Sequence, residues 1–198
     1  MFFLIVAAFI PVATVSLAQI YTDNAGITNE DIIDALDHAG VGIFKFHLDS
    51  LQGDYEMEII LQEYAGKDRL IDTKTLLTVN TLSWPEKEIR ILSKIEADSY
   101  KKIKLYISTP AVSTTYFVKL KRKYSRKHYW VKFAESEPQS DKMIPLLFLG
   151  SEWDSIYQGK KTTRFCSRQA VSPDLSDNDI EFMPHFYIIG YFIRRMNF

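Results

Sequence analysis

Short runs in which apolar and polar side chains alternate with a period of two, renewed from Val41 to the C-terminus, narrow the folds open to this chain more than any other feature. The clearest lies in Tyr116–Phe133, where Tyr116, Val118, Leu120, Arg122 and Tyr124 alternate with Phe117, Lys119, Lys121 and Lys123. A second arm then sets Tyr129, Val131 and Phe133 against His128, Trp130 and Lys132. Such alternation places one face of a strand on a core and the other in water. Two arms around Ser125, Arg126 and Lys127 predict an antiparallel hairpin.

Similar runs recur at Ile43–Leu48, Tyr55–Tyr64, Leu76–Leu82, Ile89–Ile95, Ile103–Ile107, Ile144–Leu149, Thr162–Arg168 and Phe186–Ile193. Turn-forming spacers separate them, among them Gln52-Gly53-Asp54, Ser83-Trp84-Pro85 and Thr109-Pro110. About nine short strands at this spacing predict a mainly β fold, an antiparallel β-sandwich. An α+β fold with a single curved antiparallel sheet is the alternative. Phe186–Ile193 is apolar on both faces, as a strand at the centre of a sheet must be. Gly190 within it marks a bulge or a close backbone approach.

One short helix precedes the strands. Thr28 and Asp31 form a capping box, Ile32, Ile33, Leu36 and Ala39 share a face, and Gly40 stands where a left-handed turn would end it. The acids Asp31, Asp34 and Asp37 then form its solvated side.

Before the helix, Phe2–Ile10 is an unbroken apolar run, and Ser16-Leu17-Ala18 supplies small residues where a signal peptidase reads. Residues 1–18 are therefore expected to be a signal peptide cut before Gln19, and residues 19–198 a single β-rich domain, secreted or periplasmic. An uncleaved anchor is the competing reading, since no Lys or Arg precedes the run and its length just suffices to span a bilayer. Gln19 in place of cysteine removes a lipoprotein anchor, and after cleavage no transmembrane helix remains. Cys166 is the sole cysteine, so an exported fold has to stand on its core without a disulfide. An outer-membrane barrel is disfavoured because Arg194 and Arg195 interrupt the last strand's apolar face.

Charge is balanced overall, at −1, but unevenly placed. From Thr22 to Glu63 ten acids face one lysine, Lys45, whereas Tyr116–Phe133 holds seven Lys and Arg and no acid. The candidate ligand-binding residues are accordingly Lys119, Lys121, Lys123, Arg126, Lys127, Trp130 and Lys132, together with Trp84, the tryptophan expected to be most exposed. Flat aromatic faces beside cations suit an anionic glycan, a cell-surface component or an acidic protein surface. Nucleic acid is not expected, because the chain as a whole is not basic.

Asp174, Asp177, Asp179 and Glu181 offer the oxygen ligands that calcium prefers, though without the glycine and the terminal glutamate of an EF-hand loop. No other cofactor is suggested. No nucleophile elbow, zinc-binding pair of histidines or phosphate-binding glycine loop is present, and no catalytic residue is assigned. The expected function is an exported, non-catalytic binding or structural module. The alternative is a secreted glycan-active hydrolase using Glu56, Glu58 or the carboxylates of Asp174–Glu181.

Overall fold

The computed structural model describes residues 26–51, 53–82, 84–95, 102–121, 127–164 and 170–196. At its start the capping box forms as the sequence dictates. Thr28 N–H donates to Asp31 Oδ2 at 2.8 Å and Asp31 N–H donates to Thr28 Oγ1 at 3.1 Å. Helix α1 (Asn29–His38) follows and ends at Gly40, whose φ is +68°. It leads into β1 (Val41–His47), β2 (Tyr55–Tyr64), β3 (Leu70–Asn80), β4 (Glu88–Ile95), β5 (Lys102–Ser108) and β6 (Ser113–Lys119). Next come β7 (His128–Phe133), β8 (Ile144–Ser151), β9 (Trp153–Tyr157), β10 (Lys160–Arg164), β11 (Ala170–Val171), α2 (Asn178–Glu181) and β12 (Phe186–Arg195).

Four strands form one sheet in the order β1-β4-β5-β6, and six form another in the order β11-β7-β8-β12-β2-β3. Every pairing is antiparallel except the two-residue contact of β11 with β7. The inward residues of both sheets share one core. Ile89, Ile91, Ile103, Leu105 and Ile107 of the first meet Met57, Ile59, Leu147, Leu149, Ile189 and Ile193 of the second. This is the predicted antiparallel β-sandwich, with the short helix at one end.

The six-stranded sheet is covered on its outer face as well. Phe148, Phe186 and Ile188 point away from the main core into a second cluster with Val131, Phe133, Trp153, Val171, Ile180 and Met183. β12 lies between β8 and β2 and is buried on both faces, which explains its unbroken apolar sequence. Its register against β8 shifts between Ile189 and Gly190, where an added Cβ would lie 2.6 Å from the Ile144 carbonyl oxygen.

Two expectations are corrected. Tyr116–Phe133 is not a hairpin: β6 bonds to β5 in the four-stranded sheet, and β7 bonds to β8 and β11 in the six-stranded one. The chain between them crosses from one sheet to the other. Alternation specifies a strand and the face it buries, but not the strand it bonds to. Trp84, expected to be exposed, is 9% exposed and packs into the main core, because the turn that carries it folds inward, with Trp84 N–H donating to Thr81 O at 3.3 Å.

Helix α1 departs from its expected packing as well. Its apolar residues Ile32 and Ile33 are 48% and 63% exposed, so the core takes little from it. Cys166, Lys123 and Arg126 lie outside the described residues.

Candidate functional site

A sandwich of two open sheets leaves two sides where edge strands face one another without bonding, and the side between β1 and β7 holds two hollows. β1 is the edge of its sheet, and β7 is bordered, among the described residues, only at Lys132 and Phe133 by β11. Across the gap the Phe44 and Trp130 rings lie 6.0 Å apart at 58°, and Lys132 Nζ sits 5.6 Å from the centre of the Phe46 ring. Period two explains this wall: the residues that alternate with β7's buried Val131 and Phe133 turn toward β1.

Two cavities follow one another along these strands. One of about 640 Å³ is lined by His38, Gly40, Gly42, Phe44, Lys127, His128, Tyr129 and Trp130, with no carboxylate among its described lining residues. The next, of about 420 Å³, is lined by Lys45, Phe46, His47, Asp49, Lys132, Phe133, Glu135 and Tyr191. Each falls in the size range of small-ligand sites. The Trp130 indole N–H is buried and donates to no acceptor among the described residues. A buried donor left unpaired costs roughly 1–3 kcal/mol, and an incoming oxygen acceptor would recover part of it. On the outer face of β1 and β4, Lys45 Nζ lies 2.7 Å from Glu88, and Arg90 lies 3.2 Å from the same carboxylate. The Lys45 hydrogen bond, outweighing partial burial, holds the Glu88 carboxyl below its ordinary range.

On the opposite side, between β6 and the β2–β3 pair, lies a cavity of about 250 Å³ with Glu63, Asp72, Lys74, Tyr116, Lys119 and Tyr187 in its walls. Glu63 Oε1 lies 2.6 Å from Lys121 Nζ and 2.8 Å from His185 Nε2. Burial opposes the charge on Glu63, but the bonds from Lys121 and His185 win and hold its carboxyl below the ordinary value. Burial also holds the His185 imidazole below its ordinary value against the pull of Glu63. The Tyr187 hydroxyl is pushed strongly upward, first by burial and then by the Glu63 charge. This cluster bolts the crossover after β6 onto the six-stranded sheet. It joins residues 63, 121 and 185, and no local spacing in the sequence announces it.

The family model described as a domain of unknown function (DUF5041) matches residues 14–195. The chain belongs to this family. No curated protein and no solved structure matches it.

In this DUF5041 chain the predicted binding residues are dispersed. Lys127, Trp130 and Lys132 share the β1–β7 groove. Lys119 projects from the end of β6, and Lys121 is engaged with Glu63. The proposed calcium ligands do not converge. Asp177 is buried and accepts the Ser172 N–H at 2.7 Å, while Asp174 accepts the Ser176 N–H at 3.0 Å, so each carboxylate ties down its own loop. Among the described residues no group of three or more His, Cys, Asp and Glu side chains is placed to hold a metal ion. Asp177 also occupies the N-cap position of α2 without making a side-chain capping bond.

Glu56 lies 3.4 Å from Arg194, and with Glu58 and Asp141 it borders a hollow of about 210 Å³ on the six-stranded sheet. No helix among the described residues is long and apolar enough to cross a membrane.

Proposed function

We propose that this DUF5041 chain is an exported, non-catalytic binding module that takes an anionic glycan in the groove between β1 and β7. The observation that carries this reading is the placing of Trp130, whose buried N–H lacks an acceptor among the described residues, between Lys127 and Lys132 along one open groove. Aromatic faces pack on sugar rings, cations meet carboxylate or sulfate groups, and the indole N–H donates to a sugar oxygen. Export is supported by the apolar Phe2–Ile10 run followed by Ser16-Leu17-Ala18.

The test is retention on immobilised uronate and sulfated polysaccharides at low and moderate salt. The double variant Lys127→Glu, Lys132→Glu is expected to lose at least tenfold in affinity with its melting temperature unchanged. Equal retention of parent and variant would refute the reading. A second reading, a glycan-active hydrolase, draws on Glu56, Glu58 and Asp141 around one hollow. Turnover of a glycan abolished by Glu58→Gln would favour it over binding alone.

A further inference from the structure

We infer that the outer face of the four-stranded sheet docks on the anionic headgroups of a lipid bilayer, independently of the glycan groove. Alternation along β4, β5 and β6 sends Ile91, Ile103, Leu105 and Val118 into the core and turns Lys94, Lys102, Lys104 and Lys119 outward, where all four are exposed. The register then sets like charges directly opposite one another: Lys94 faces Lys104, and Lys102 faces Lys119. No ion pair joins these four lysines to an acid among the described residues. Like charges directly across a ladder destabilise a sheet, so this face breaks a local rule that folding alone gives no reason to break.

Apolar side chains stand among the charges. Phe117, directly opposite Lys104, is 58% exposed, Tyr106 is 39% exposed, and Ile43 on β1 is 52% exposed. An anionic glycan would satisfy the lysines and cover a ring face, but it would leave the aliphatic Ile43 in water. A bilayer surface satisfies both, taking the cations at the headgroups and the rings at the edge of the acyl region. The two outer faces of the sandwich also differ. The six-stranded sheet is roofed by the cluster around Trp153 and Ile180, whereas no described element covers these outward residues of the four-stranded sheet.

Co-sedimentation of the full chain with phosphatidylcholine vesicles, with and without phosphatidylglycerol, tests the inference. Binding is expected only to the vesicles that contain phosphatidylglycerol, and it should weaken as salt rises. Each lysine at such a surface is worth roughly fivefold in partitioning, so the triple variant Lys94→Gln, Lys102→Gln, Lys104→Gln should lose on the order of a hundredfold. Its melting temperature should equal or exceed that of the parent, because the opposed charges are gone. Phe117→Ser should weaken binding without moving the salt dependence, and the Lys127→Glu, Lys132→Glu groove variant should still bind vesicles. Equal binding to both kinds of vesicle, an unaffected triple variant, or capture by a soluble sulfated polymer with vesicles ignored would each overturn the inference.

Discussion

Replacing Gly190 by alanine places a methyl group where the backbone of the neighbouring strand already lies. The added Cβ would sit 2.6 Å from the Ile144 carbonyl oxygen, 3.1 Å from Pro145 Cα and 3.2 Å from the Ile144 carbonyl carbon. All three are main-chain atoms of β8, so no side-chain rotation relieves the clash and one strand has to move. β12 is held along its whole length by β2 and is buried on both faces, so that movement disturbs both clusters of the core. Removing a glycine from a strand interior by itself gains roughly 0.5–1 kcal/mol. Overpacking costs typically about 1–3 kcal/mol, and a backbone clash belongs at or above the top of that range. The net loss is therefore about 2–3 kcal/mol, which for a domain of this size lowers the melting temperature by roughly 5–10 °C.

Thermal melts followed by circular dichroism, with urea midpoints alongside, measure the loss. Gly26→Ala serves as the control, since nothing lies within 4 Å of its added Cβ. Gly66→Ala separates conformational strain from crowding, because its surroundings are open but its φ is +85°. It should cost about 1 kcal/mol or a little more, from strain alone. A Gly190→Ala protein melting within 2 °C of the parent would refute the assignment of β12 as the packed central strand.

Three further outcomes follow from the geometry. Burial lowers the His185 pKa from its ordinary value of 6.5, so the unfolded chain takes up a proton there before the folded one does. Its contribution is complete above that value and is lost as pH falls below it. Glu63, held below its ordinary 4.5, adds a second loss in the same direction at lower pH. The melting temperature should drop on moving from pH 7.5 to 5.5, and His185→Asn should flatten that step; a flat profile in the parent would contradict the buried pair. Asp177→Ala removes the acceptor of the Ser172 N–H and should cost about 1–3 kcal/mol and open residues 172–183 to limited proteolysis. Added calcium or EDTA should leave the parent's melting temperature unchanged, and a calcium-dependent rise would restore the metal reading of that loop.

How far the sequence could be read varies from element to element. The capping box of Thr28 and Asp31 and the left-handed Gly40 are local features, set by residues within a turn of each other. The double burial of Phe186–Ile193 and the bulge at Gly190 were legible for the same reason, since a strand apolar on both faces has one place to go. The basic run of Tyr116–Phe133 was legible as two strands and misread as one surface. Its arms are neighbours in sequence, which favours pairing them, but a sandwich permits the chain to change sheets between them. That crossing sends Lys119 to one side of the molecule and Trp130 to the other.

Trp84 shows the same limit on a smaller scale. A proline and a serine beside it mark a turn, but whether the ring at that turn faces core or water depends on which strands lie beneath. The Glu63, Lys121 and His185 cluster had no signal at all, because its members approach only after β2, the crossover and the start of β12 have been placed.

Although β9, β11 and the start of β3 at Leu70 escaped it, the sequence alone determined the buried face of the clearest strands, where the helix starts and stops, and that the fold is antiparallel and rich in β structure. These follow from periodicity and capping, which act over a few residues. Only the tertiary structure decided the strand order, the meeting of β1 with β7 around Trp130, and the gathering of Lys94, Lys102, Lys104 and Lys119 on one uncovered face. Those depend on contacts between residues far apart in the chain, selected by how two sheets share one core.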